Sequence, residues 1–239
     1  MVKKAMIQDS SKKEGLISRI KILIAGTAAT AGAVNPVAGV IAGILGTAIC
    51  ESLPDFKKKN QEEFLKQFSQ QIYAEIEKID VEFMKKEEFT YMLNKCLKAA
   101  LDEIDNAKRK AYINILANLC ISPDSFDEIE FYSSLLNSLS SLEVHLLAFY
   151  NNPEGYLEIR GIDKSTVNGG YLEVLKKSFP RLSQEELELA CKSLFNRGLT
   201  NTEIVRALTA SQGLELIRGR LTNGGKKLIE YASDYNNKL

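Results

Sequence analysis

From Ile22 to Cys50 the chain runs twenty-nine residues without a charge or an aromatic ring, and the Asn35-Pro36 step cuts that run near its middle. About twenty apolar residues suffice to cross a bilayer, so the length alone permits a span. Proline disfavours helix at the residue before it and is well suited to the first position of a new helix. The pattern therefore predicts two short helices, from about Lys12 or Glu14 to Val34 and from Pro36 to Ser52, joined at the Asn-Pro corner. Neither apolar half exceeds about fourteen residues, the length of a buried core helix or a re-entrant segment. A single spanning helix would have to absorb the kink.

The second half repeats small residues at three and four positions, Ala38, Gly39, Ala42, Gly43 and Gly46, while Val40, Ile41, Ile44, Leu45 and Ile49 supply bulk. Small-xxx-small faces let helix backbones approach closely, in a soluble bundle, an oligomer or a membrane. Ten of the twenty-nine residues are Ile, Leu or Val, each favouring insertion by a few tenths of a kcal/mol. Gly, Thr, Asn and Pro offset much of that, which weighs toward a hairpin buried in a resting bundle with conditional insertion or oligomerisation as the alternative. Gly39, Ile41, Gly43, Ile44, Leu45 and Gly46 form the candidate membrane or oligomer face. Lys57, Lys58 and Lys59 follow shortly after. They read as a solvated helix face or as a lipid-headgroup anchor, since a polybasic cluster beside an apolar segment is attracted to anionic lipid by about 1 kcal/mol per charge. The basic start MVKK and the Ala31-Gly32-Ala33 triplet resemble a signal peptide. Asp9, Glu14 and the seventeen further uncharged residues argue against export. A cytoplasmic protein, conditionally membrane-associated, is expected.

Beyond Cys50 the chain reads as mainly α. Pro54 and Asp55 open an amphipathic helix with Leu65, Phe68, Ile72, Ile76 and Ile79 at helical spacing. A second stripe holds Phe89, Met92, Leu93, Cys96, Leu97, Ala100, Leu101 and Ile104, and a third, headed by Lys108-Arg109-Lys110, holds Ala111, Tyr112, Ile115, Leu116 and Leu119. Helices from Asp127 to Leu136 and from Ser141 to Tyr150, capped by Ser140 or Ser141 with Glu143 in the first turn, complete a helical bundle over 1–150. Residues 151–170, with NNPEG and NGG, read as a loop or linker. A small winged-helix-like α+β domain is expected over 171–239. It would comprise helices Tyr171 to Phe179 and Ser183 to Asn196, the latter opened by the Ser183-x-x-Glu186 capping box. A hairpin of Thr202 to Leu208 with Leu214 to Leu221 and a last helix from Thr222 to about Tyr235 would complete it.

Chemistry-bearing patterns are sparse. His145 is the single histidine and sits between apolar neighbours, as a packed or partly exposed helix residue does. Cys50, Cys96, Cys120 and Cys191 lie far apart without ligand spacing and read as reduced core thiols. No P-loop and no dinucleotide fingerprint is present. Acidic pairs such as Glu62-Glu63 and Glu87-Glu88 fall on polar helix sides. No catalytic residue, metal or cofactor is assigned, and a non-enzymatic role is expected. Lys plus Arg equals Asp plus Glu, at thirty-one each, so no global field concentrates nucleic acid. Arg220, Lys226 and Lys227 form a candidate nucleic-acid patch. The helix that would enter the major groove begins with Glu185, Glu186 and Glu188, which oppose phosphate. Specific nucleic-acid binding is not expected; self-association or a protein partner is.

The order of segments resembles bacterial abortive-infection alpha-type and phage-defence-associated helical proteins. It comprises the Gly/Ala-rich hairpin with its NPVAG corner, then LPDFKKKNQEEFLKQF, AKRKAYINILANL, LNSLSSLEVHLLAFY and RLTNGGKKLIEYA. The middle segment carries the resemblance best, and the pattern spans about two-thirds of the chain. It implies a phage-defence or toxin-like role at a membrane or through a partner, and brings no active-site residue with it. Two classes of function follow: a conditional membrane-active or oligomerising effector, or a soluble adaptor or winged-helix transcription regulator.

Overall fold

The structure, a computed structural model, describes residues 53–202 and 213–233. The expected hairpin over 22–50, with Gly39, Ile41, Gly43, Ile44, Leu45 and Gly46, lies outside the described residues. Among those described, the chain is mainly helical, with nine α-helices and no strand. They divide into two compact units, 53–134 and 135–233.

The first unit is built on three long helices, α1 (Asp55–Ala74), α2 (Glu87–Asp102) and α3 (Asn106–Ile121), which pack against one another. On α1 the buried residues include Phe64, Leu65, Phe68 and Ile72, three or four apart, as an inward stripe requires. The helix stops at Ala74 and the chain tightens into a 3₁₀ turn at Ile76–Lys78. On α2 the stripe Phe89, Met92, Leu93, Cys96, Leu97, Ala100 and Leu101 is buried as expected. Ile104 is a correction: it is 89% exposed. The helix ends at Asp102 and Glu103 turns extended, with φ −90° and ψ 129°, so the helical register breaks before Ile104.

Phe64, Phe68 and Phe89 form a ladder with ring centroids 6.4 and 6.5 Å apart, closed by the edge of Phe83 at 6.1 Å from Phe89. Such offset and edge contacts add to the apolar burial. The central helix, α3, differs from its neighbours in being buried on every side from Ala111 to Cys120. Asp105 caps it, accepting from the Lys108 amide at 2.9 Å. The helix α4 (Phe126–Ser138) carries Glu130, which pairs with Lys95 and accepts from Tyr91 Oη at 3.3 Å.

The second unit begins within α4, earlier than the 151–170 stretch that composition marked as a junction. That stretch is largely folded. After α5 (Ser141–Asn151), Asn152 caps α6 (Pro153–Ile159) by accepting from the Gly155 amide at 3.0 Å, and Pro153 sits at its first position. The Asn, Pro and Gly that read as loop are the opening of a helix. Leu157 and Val167 are buried. Next come α7 (Tyr171–Ser178), α8 (Gln184–Asn196) and α9 (Asn223–Ala232). The capping boxes at Ser140/Glu143 and Ser183/Glu186 form, and Thr222 caps α9. An aromatic cluster of Phe149, Tyr156 and Phe179, with centroids 5.4 to 5.7 Å apart, fills the core.

The expected hairpin is also corrected. Residues 203–212 lie outside the described residues, and the run Leu214 to Leu221 is not a strand: Gly213–Leu216 is a 3₁₀ turn and Gly219 has φ +70°. A left-handed residue interrupts any extended ladder there. One isolated antiparallel bridge joins Thr200 to Leu221.

That bridge sets up a close approach. The Leu199 carbonyl accepts from the Thr222 amide at 3.1 Å, and a Cβ placed on Gly225 would lie 2.2 Å from the same carbonyl oxygen. Gly225→Ala is therefore expected to destabilise the second unit by about 1–3 kcal/mol through overpacking. Gly224→Ala, whose Cβ would meet nothing closer than 3.7 Å, is expected to leave the melting temperature unchanged or slightly raised. Thermal unfolding of the two variants side by side checks this.

Candidate functional site

The residues most suited to surface recognition in the first unit gather where α1 begins. Phe56, in its first turn, is 57% exposed, and Lys58 and Lys59 beside it are exposed. The triplet is not uniform. Lys57 is half-buried, ion-paired with Asp102, and its Nζ lies 5.9 Å from the Phe56 ring centroid. Asn60, one turn on, is buried and donates from Nδ2 to the carbonyls of Leu101 at 3.3 Å and Glu103 at 3.4 Å. These bonds hold the start of α1 against the end of α2, directly before the exposed Ile104. The result is an end of the bundle with two protruding apolar side chains, two outward lysines and the exposed Asp55. Phe56 preceding three lysines is a signal legible in the sequence. Ile104 carries none, because its exposure follows from where α2 stops.

The second basic run, Lys108-Arg109-Lys110, is mostly neutralised. Lys108 is buried and pairs with Glu103 at 3.0 Å, and Arg109 donates to Asn60 Oδ1 at 2.8 Å and lies 3.8 Å from Glu63. Lys110 lines an open cleft of about 490 Å³ between α1 and α3, with Gln67, Gln70, Gln71, Glu75 and Asn106 among its walls. Amide and aliphatic side chains share that lining equally, with Ile72, Ala74, Ala117 and Ile121 completing it.

The three residues of the candidate nucleic-acid patch are placed differently from one another. Arg220 is half-buried: its Nε donates to the Leu216 carbonyl at 2.6 Å, its Nη1 donates to Thr202 Oγ1 at 3.1 Å, and its guanidinium lies 5.8 Å from the Tyr171 ring centroid. Lys226 and Lys227 are exposed on α9. Arg220 acts as a brace for the segment before α9, so the patch loses its expected third cation.

Buried titratable groups elsewhere are held in structural roles. His145 is half-buried, with Nδ1 3.4 Å from Arg160 Nη2. Burial pushes the Cys96 thiol up to about 12 against the opposing effects of Ser133 and Lys95, and raises Cys120 and Cys191 also. Such thiols are poor nucleophiles at neutral pH. The Tyr171 hydroxyl donates to Tyr150 Oη at 2.5 Å, and Tyr150 Oη lies 3.2 Å from Cys191 Sγ, a chain that periodicity could not reveal. Among the described residues no His, Cys, Asp and Glu cluster could hold a metal, and no helix is long and apolar enough to cross a membrane. Comparison of the chain with family models, with curated proteins and with solved structures gives no match.

Glu143 is the buried carboxylate on which the second unit turns. Its Oε2 accepts from the Ser140 amide at 2.6 Å and from Ser140 Oγ at 2.8 Å, while Oε1 lies 3.7 Å from Arg197 Nε. Arg197 also donates to Ser138 Oγ at 2.7 Å and to its carbonyl at 3.1 Å. Burial raises the Glu143 carboxyl, but the bonds from Ser193 and Ser140 and the Arg197 charge outweigh it and hold the group below the usual carboxylate range. A depressed folded pKa contributes stability that is present above the ordinary glutamate value and is lost as pH falls through the folded one. Glu143→Gln is expected to lower the melting temperature at pH ~7 and to approach wild type as pH falls below ~4. Melting curves across that range check it.

Proposed function

We propose that this chain is a non-catalytic effector of the bacterial abortive-infection type, which acts when its charge-free segment 22–50 inserts into a membrane or self-associates. The observation that carries this reading is a juxtaposition. The charge-free run ends at Cys50, and five residues later α1 begins at Asp55, carrying an exposed Phe56 and two outward lysines beside an exposed Ile104. Cations beside an apolar segment are attracted to anionic headgroups, and an exposed apolar ring next to them gains from burial at the headgroup–acyl boundary. The biological setting rests on the resemblance of the order of segments, the middle segment best, to abortive-infection alpha-type proteins. A cytoplasmic resting state, with the hairpin sheltered until triggered, accords with its Gly, Thr, Asn and Pro content.

A second reading, a soluble adaptor or regulator with a winged-helix-like second unit, draws on the Thr200–Leu221 bridge. That bridge ties the end of α8 to the start of α9, where a wing would begin. Against duplex binding stand Glu185 and Glu186, exposed at the start of α8, and the internal bonding of Arg220.

Vesicle leakage separates the two. The full chain is expected to release dye from anionic vesicles and to lose that activity when 22–50 is deleted. Lys58→Ala with Lys59→Ala is expected to weaken binding to anionic vesicles roughly 30-fold, at about 1 kcal/mol per charge, with an unchanged melting temperature. Tight, salt-dependent binding to duplex DNA that vanishes in an Arg220, Lys226 and Lys227 triple alanine variant, without leakage, would instead establish the regulator.

A further inference from the structure

We infer that a second copy of this chain docks against α8, the two helices lying antiparallel about a two-fold axis beside Leu189. This surface is independent of the 22–50 segment and of its proposed role at membranes.

The helix buries one face, Leu187, Ala190, Cys191 and Leu194, in its own unit. Glu185, Leu189, Lys192 and Asn196 follow one another at spacings of four, three and four, which places them on a single outward stripe. All four are exposed, and Leu189, at the centre, is 70% exposed, with Phe195 at 37% along the edge of the stripe. Covering a leucine so placed removes its apolar area from water.

The charges specify what covers it. Other acidic groups of this helix are occupied: Glu186 accepts from the Ser183 amide at 2.8 Å, and Glu188 accepts from Gln184 at 2.8 Å. Glu185 and Lys192 make no hydrogen bond or ion pair among the described residues. Their midpoint falls between positions 188 and 189, next to Leu189. In an antiparallel pair centred there, Glu185 of each copy lies opposite Lys192 of the other, and symmetry forms the contact twice. A parallel pair would set Glu185 against Glu185 and Lys192 against Lys192, which repel. The stripe is thus complementary to itself in one orientation.

A single helix face makes an interface at the small end of the protein range, so the dimer is expected to dissociate at roughly micromolar concentration. Sedimentation equilibrium of the full chain across about 1 to 100 µM is expected to show the mass rising from 26.6 kDa toward twice that value. Leu189→Asp is expected to hold the chain monomeric. Glu185→Lys and Lys192→Glu are each expected to weaken association at least tenfold, and the double exchange to restore it to within a few-fold of wild type. Equal circular dichroism and melting temperatures confirm that each variant is folded. A chain monomeric throughout, self-association indifferent to Leu189→Asp, or a double exchange that fails to restore the dimer would each overturn the assignment. Indifference to Leu189→Asp would point to 22–50 as the associating surface, and vesicle leakage would be untouched by any of these results.

Discussion

Burial of α3 on every side from Ala111 to Cys120 is the constraint that organises the first unit. A helix surrounded on every side has no solvent-facing stripe on which to place polar groups, so each one must be answered from within. Asn114 accepts from Gln71 Nε2 at 2.6 Å, which ties α3 to α1. Lys108 turns to Glu103 and Arg109 to Asn60, which join the start of α3 to the end of α2 and the start of α1. Removing one member of such a buried pair strands the other, so these bonds specify an arrangement more than they add stability. The outward set of Phe56 and Ile104 follows from the same bonding. With the ends of the three helices tied by polar contacts, Phe56 in the first turn of α1 and Ile104 just past the end of α2 are left in solvent.

The second unit meets the same requirement with capping. Glu143 closes its own helix through Ser140 and reaches Arg197, which in turn holds the Ser138 carbonyl at the end of α4. One carboxylate thus connects the start of α5 with the end of α8.

Much of this was legible in the sequence. The stripes of α1 and α2 and the caps at Ser140 and Ser183 follow from periodicity and from the chemistry of a helix start. What was not legible has identifiable causes. On α3 the spacing picks out Ala111, Tyr112, Ile115, Leu116 and Leu119, yet Asn114 and Asn118 are buried too, because neighbours on all sides override the one-sided pattern. Residues 151–170 read as a junction because cap residues and loop residues are the same types. The run from Leu214 has branched residues suited to a strand, but a left-handed glycine at 219 fixes a turn. At the candidate site the sequence treats Lys57, Lys58 and Lys59 alike. Only tertiary contact distinguishes them, because Asp102 lies forty-five residues away along the chain. Leu189 is not singled out from the sequence, and its exposure depends on which face of α8 its neighbours cover.

The bonded phenols of Tyr150 and Tyr171 have an optical consequence. The chain has nine tyrosines and no tryptophan, so its near-ultraviolet signal belongs to tyrosine. Burial raises both of these phenols well above the ordinary value, which for tyrosine is about 10. Their protonated state contributes stability that is present in full below that value and is lost as alkalinity rises toward the raised one. In an alkaline titration this pair is held protonated until the core around Cys191 opens. Burial raises Tyr112 of the first unit as well, so delayed phenolate absorbance is a marker of both cores, readable without any label, and a Tyr112→Phe variant isolates the second unit's share.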